Sequence, residues 1–289
     1  MHVTVNGARL YFDVEGAGLV PHGKTMRQKP TLMVLHGGPG FDHTYFKPDF
    51  TALADLAQII YVDHRGNGRS EYGDPAGWNL AQWGDDVRGL CDVLGIEKPI
   101  VYGVSFGGFV AQSYATRHPE HPGRLVLVST SAKMEWDVIF DAFERIGGPE
   151  ARHMAEAFWL TPSAENRRIY REKCHPLYNT KPAADPDAMA RSIVHDAVSL
   201  HFNGRGNESM RMDFRAALAG VKCPTLVMGG ETDPITPIVF SETIAACLPK
   251  HLVQFERFAD CGHGVVRDAR ERFFAVLRRF IEDAEPQAA

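Results

Sequence analysis

The chain has 289 residues, 44% hydrophobic and 23% charged, with a formal net charge of -5, and that length can bury a substantial core in one large domain or two modest ones. Lysine and arginine are scattered and never gathered into a run, which excludes a phosphate-binding stripe or a polybasic membrane patch; a small molecule or short peptide is the expected partner, with no nucleic acid and no membrane. No stretch reaches the ~18–20 apolar residues that span a bilayer, the opening residues lack a secretory pattern, and five widely spaced cysteines form no paired motif, so reduced thiols in a cytoplasm are expected.

In chain order, MHVTVNGARLYFDVEG reads as two short strands around Asn6-Gly7, a dipeptide suited to a tight hairpin. A polar stretch over 16–30 reads as a loop before the buried strands TLMVLH and QIIYVD. Val87, Leu90, Cys91 and Leu94 recur at helical spacing, PIVYGV is another buried strand, and residues 107–118 form a helix. RLVLVST continues the alternation that indicates a parallel sheet covered on both faces. From 131 to 213 the pattern becomes helical, interrupted at Gly147-Gly148 and at several prolines, which reads as an inserted helical cap. CPTLVMGG and HLVQFERF restore the strands, and RERFFAVLRRFIED closes as an amphipathic helix. The expectation is an α/β core domain formed by 1–130 and 214–289, with the cap over 131–213.

The sharpest local pattern is Gly103-Val104-Ser105-Phe106-Gly107, between a predicted strand and a predicted helix. A serine on so sharp a turn projects its hydroxyl into open space, and small flanking residues let strand and helix approach. Serine needs a base to take its proton, and His263, in Asp260-Cys261-Gly262-His263-Gly264 after the last strand, stands where that base is required. The carboxylate that orients the imidazole belongs after the preceding strand, where Asp233 is the candidate and Glu231 its competitor. Oxyanion donors are expected from the amide of Phe106 and from His36-Gly37-Gly38-Pro39-Gly40, with Gly38 favoured and Gly37 the alternative. His36 reads as structural. No cofactor and no metal are expected.

HGGPG (36–40), DHRGNGRS (63–70) and GVSFGG (103–108) together resemble the α/β-hydrolase superfamily and, within it, the proline iminopeptidase branch. The resemblance covers about Thr31 to Thr130 and Cys223 to His263. It implies a mostly parallel central sheet flanked by helices with an inserted cap, and a structural role for Asp63, His64 and Arg65. It also implies removal of N-terminal proline or a similar residue through an acyl-enzyme. Phe106 stands where that branch often has tryptophan, and the cap offers no matching motif, although its carboxylates from Glu135 to Glu208 are candidates for holding a free amino terminus. The same residues would serve an esterase or lactonase; a carbon–carbon bond hydrolase and a non-enzymatic small-molecule receptor are the remaining readings.

Overall fold

The computed structural model describes residues 1–283. The N-terminal hairpin is β1 (His2–Val5) and β2 (Ala8–Glu15), turned by Asn6 and Gly7, both at positive φ. A second, exposed hairpin, β3 (Leu19–His22) and β4 (Thr25–Gln28), occupies the stretch expected to be a loop. It buries almost nothing, so no apolar alternation marks it.

β5 (Thr31–Leu35) and β6 (Gln58–Asp63) follow, then α1 (Leu80–Leu94), β7 (Ile100–Val104), α2 (Phe106–Arg117) and β8 (Arg124–Val128). Asn79 starts α1 by accepting the Gln82 N–H, and Gly95 ends it in the left-handed region, the usual polar start and glycine stop of a helix. Between β8 and the next strand lie α3 (Trp136–Leu160), α4 (Ala164–Lys173), a short turn over His175–Tyr178, α5 (Asp196–Phe202) and α6 (Glu208–Arg211). α3 breaks at Gly148, where φ is 78°. Lys133 pairs with Asp213 and the Phe214 N–H donates to Ala132 O, so this helical insertion leaves and rejoins the sheet at one place. β9 (Thr225–Gly230), α7 (Ile238–Cys247), β10 (Val253–Phe258), α8 (Val265–Asp268) and α9 (Arg270–Glu282) complete the chain. Among the described residues no helix is long and apolar enough to cross a membrane.

One sheet of eight strands runs β1-β2-β6-β5-β7-β8-β9-β10, antiparallel at β1-β2 and β2-β6 and parallel from β6 to β10. Alternate residues of β5 feed opposite faces. Met33 and Leu35 join α1, α2 and the apolar sides of the insertion, while Leu32 and Val34 join Phe50, Tyr102 and the inner face of α9. Phe273 on α9 is fully buried and meets Phe274 at 5.2 Å and Phe50 and Tyr102 at 6.3 Å. Phe273→Ala would leave a cavity costing about 3–5 kcal/mol. The expected result is a clear fall in thermal midpoint, with activity per folded molecule retained because the residue lies on the sheet face away from the insertion.

Candidate active site

Parallel register brings the ends of four strands to one edge. Val104 pairs with Val128, Val128 with Met228, and Met228 with Glu256, so the loops after β7, β9 and β10 emerge side by side. Ser105 is the first residue beyond β7, at φ 54° and ψ -121°. A side chain held there costs roughly 1–3 kcal/mol and persists only when its surroundings enforce it. The enforcement is visible: Ser105 N–H donates to Val128 O at 3.0 Å, and Ser105 O accepts from Gly108 N–H at 2.9 Å and Thr130 Oγ1 at 2.8 Å. The flanking glycines answer a packing demand. A Cβ on Gly103 would lie 2.3 Å from Gly107 O, and one on Gly107 would lie 2.2 Å from Leu35 O.

Asp233 is fully buried in the loop after β9. Its Oδ1 accepts the Ile235 and Thr236 amides, each at 2.9 Å, and its Oδ2 accepts Thr236 Oγ1 at 2.6 Å and His263 Nδ1 at 2.8 Å. Burial alone pushes this carboxyl up, but His263 and the Thr236 donors outweigh it and hold Asp233 below the ordinary value. An ionised carboxylate only accepts, so His263 donates from Nδ1, which in the neutral imidazole leaves the lone pair on Nε2. Thr236 Oγ1 lies 3.2 Å from the same Nδ1. Glu231, the alternative acid, is exposed. The Ser105 hydroxyl makes no hydrogen bond among the described residues; contacts between nucleophile and base are often loose before substrate closes them.

The His36–Gly40 loop leans on the elbow, since a Cβ on Gly37 would lie 3.3 Å from Ser105 Cβ. Gly37 N–H already donates to Tyr45 Oη at 2.6 Å, whereas the Gly38 N–H has no partner among the described residues. The Phe106 amide opens α2 and is one of the helix-start donors left without an intrahelical acceptor. Its side chain is buried edge-on against Trp83, 4.9 Å between centroids. His36 Nδ1 bonds Gly37 O at 2.8 Å, and its Nε2 accepts the His64 amide at 3.3 Å. Burial pushes both imidazoles down, His64 strongly. Asp63 accepts from His43 Nδ1 at 2.7 Å and from the Arg69 amide at 2.9 Å, and Arg65 makes two 2.8 Å bonds to Asp86. The segment 63–70 thus ties loops together.

Several supporting residues carry no sequence signal. Tyr178 O accepts the His263 amide at 2.6 Å, and its ring stands edge-on to the imidazole, 5.2 Å away. Asp268, 1% exposed, accepts the amides of Gly262 at 2.8 Å and of Thr180 and Lys181 at 3.1 Å. It therefore clamps the histidine loop to the helical insertion. Asp268→Ala would leave the buried Gly262 amide without its acceptor, at about 1–3 kcal/mol if it stays dry, and would release the part-buried amides of Thr180 and Lys181. A large drop in thermal midpoint is expected, accompanied by faster proteolysis near Thr180; an unchanged midpoint would contradict the clamp.

A model of the alpha/beta hydrolase fold family matches residues 30–268. A putative carbamate hydrolase, RutD, from Caulobacter sp. (strain K31) is 29% identical over 287 residues, covering 96% of this chain and 97% of its own. A 2-hydroxymuconate semialdehyde hydrolase from Pseudomonas sp. (strain CF600) is 28% identical over 268 residues, 89% of this chain and 88% of its own. Among solved structures, an esterase from Exiguobacterium antarcticum has a TM-score of 0.75 at 18% identity, covering 98% of this chain and 99% of that one. The proline iminopeptidase of Mycobacterium smegmatis has a TM-score of 0.76 at 22% identity, covering 98% of each. With the family match running across most of the sheet and through the elbow, the acid loop and the histidine loop, the chain belongs to the α/β-hydrolase family.

Proposed function

We propose that the protein is a serine hydrolase working through an acyl-enzyme, with Ser105 as nucleophile, His263 as general base and Asp233 as the acid that orients it. The observation that carries this reading is the 2.8 Å pair of buried Asp233 and His263 Nδ1 beside a serine held at positive φ on the same sheet edge. Ser105 Oγ attacks the carbonyl as His263 Nε2 takes its proton, and Asp233 stabilises the imidazolium. The negative oxygen that forms is met by the amides of Phe106 and Gly38, one such donor being worth roughly 2.7–4 kcal/mol. Gly38 is preferred over Gly37, whose N–H is committed to Tyr45. The imidazolium returns its proton to the leaving group, and water activated by the same histidine releases the acid.

For the substrate, an ester or lactone fits better than a peptide amino terminus. A free ammonium calls for a buried carboxylate, and among the described residues the insertion offers none uncommitted. Asp141, Glu144 and Glu156 surround Arg152, Glu165 and Glu172 hold Arg168, and Glu208 accepts the Leu80 amide at 3.0 Å. Glu135, Asp137 and Glu150 are exposed. The iminopeptidase reading is second, supported by the HGGPG and GVSFGG motifs.

The test is purified protein against Ser105→Ala on 4-nitrophenyl acetate and proline-4-nitroanilide. Serine-dependent cleavage of the ester is expected, with a loss on the order of 10⁴-fold or more in the variant and little change in thermal stability. Cleavage of the anilide with equal efficiency would restore the iminopeptidase reading, and full activity in Ser105→Ala would overturn the nucleophile.

A further inference from the structure

α4 lies across the site. In AENRRIYREK, residues 164–173, only Arg167 and Tyr170 are buried, three positions apart and so on one helix face. At one end of that face, a Cβ on Gly40 would lie 3.6 Å from Arg167 Nη2, and the guanidinium carbon lies 6.0 Å from the centroid of the Phe41 ring. Gly40 closes the loop that carries the free Gly38 amide. At the other end, Tyr170 Oη meets Tyr178 Oη at 2.6 Å, and Tyr178 packs on His263. The inner face of α4 therefore reaches from the 36–40 loop to Tyr178, the residue packed on His263.

Arg167 is 5% exposed and is the buried cation of the described insertion; the other arginines and lysines between 131 and 213 are exposed or half-buried. Its Nε donates to Asp196 Oδ1 and its Nη1 to Ser199 Oγ, both at 2.5 Å. Its Nη2 is shielded from water and has no partner. A buried charged donor left without an acceptor is costly, and binding Asp196 and Ser199 needs only two of the three nitrogens. Asp196 is half exposed, its side chain at 47%, so water weakens its hold on the charge. A fork with one arm fixed and the other free beside the oxyanion loop is built to take a planar anion.

We propose that Arg167 Nη2 binds a carboxylate on the substrate, making the preferred substrate an ester or lactone that carries an acidic group a few bonds from the scissile carbonyl. This rests on the serine-hydrolase reading and names the substrate class for it. Arg167 acts by holding the far end of the substrate while Gly38 and Phe106 hold the near end.

The experiment compares kcat/KM for the mono-4-nitrophenyl ester of glutaric acid with that for 4-nitrophenyl valerate, an uncharged ester of equal chain length, in the wild type, Arg167→Met and Arg167→Lys. Each protein is also labelled at Ser105 with a fluorophosphonate. The wild type is expected to prefer the acidic ester, Arg167→Met to lower the acidic-to-neutral ratio by ~10–100-fold, and Arg167→Lys to recover part of it. A wild type without that preference, or an Arg167→Met variant that loses both esters in equal proportion while Ser105 still labels, would mean that Arg167 only ties α4 to α5 and would overturn the proposal. Failure of wild-type Ser105 to label would instead overturn the hydrolase reading beneath it.

Discussion

The site depends on how closely α2 comes down upon the sheet. Where β7 gives way to the helix, backbone meets backbone at distances that admit no Cβ, with Gly103 against Gly107 O and Gly107 against Leu35 O. That closeness forces the turn at Ser105 into positive φ, which lifts the side chain off the sheet edge and leaves the Phe106 amide at the mouth of the helix. The strain is local, and the bonds that sustain it come from the end of β8 and the residues just after it, through Val128 O and Thr130 Oγ1. The same parallel register that supplies those bonds brings the acid and histidine loops alongside.

From that edge outward, each chemical group is held by a second one. Thr236 and two amides fix Asp233, Asp233 fixes the His263 tautomer, and Tyr178 and Asp268 fix the loop on which His263 rides. Both Tyr178 and the amides of Thr180 and Lys181 belong to the helical insertion. The histidine is consequently positioned by the insertion as much as by the sheet, and α4 reaches the same tyrosine through Tyr170. The loop that carries His263 and the helix that carries Arg167 thus share one set of contacts.

Much of this was legible in the chain because the constraints are local. GVSFG between a strand and a helix, Asn6-Gly7 between alternating runs, and the buried strands of the parallel sheet each announce themselves within a dozen residues. So does the position of Asp233 after TLVMGG; that it is buried and paired with His263 while Glu231 is exposed is visible only in the structure. The β3-β4 hairpin was not legible, since its side chains stay in water and nothing selects their pattern. Asp268 looks like an ordinary first-turn acid before α9, and Tyr178 like one more aromatic of the insertion. Their importance arises from segments more than eighty residues apart. Arg167 sits in a strongly charged helix and reads as solvated; only packing against Gly40 and Phe41 shows that it is dry. Gly37 and Gly38 likewise look alike in the sequence, and only the fold brings the Tyr45 hydroxyl to the Gly37 amide.

If buried Asp233 and His263 activate Ser105, the rate at which a fluorophosphonate modifies the protein, followed by mass spectrometry in the wild type, His263→Ala and Asp233→Asn, reads that activation out. A single adduct on Ser105 is expected, formed at a rate that falls on the order of 10³-fold or more in both variants. Modification at another residue, or equal rates in all three proteins, would contradict it.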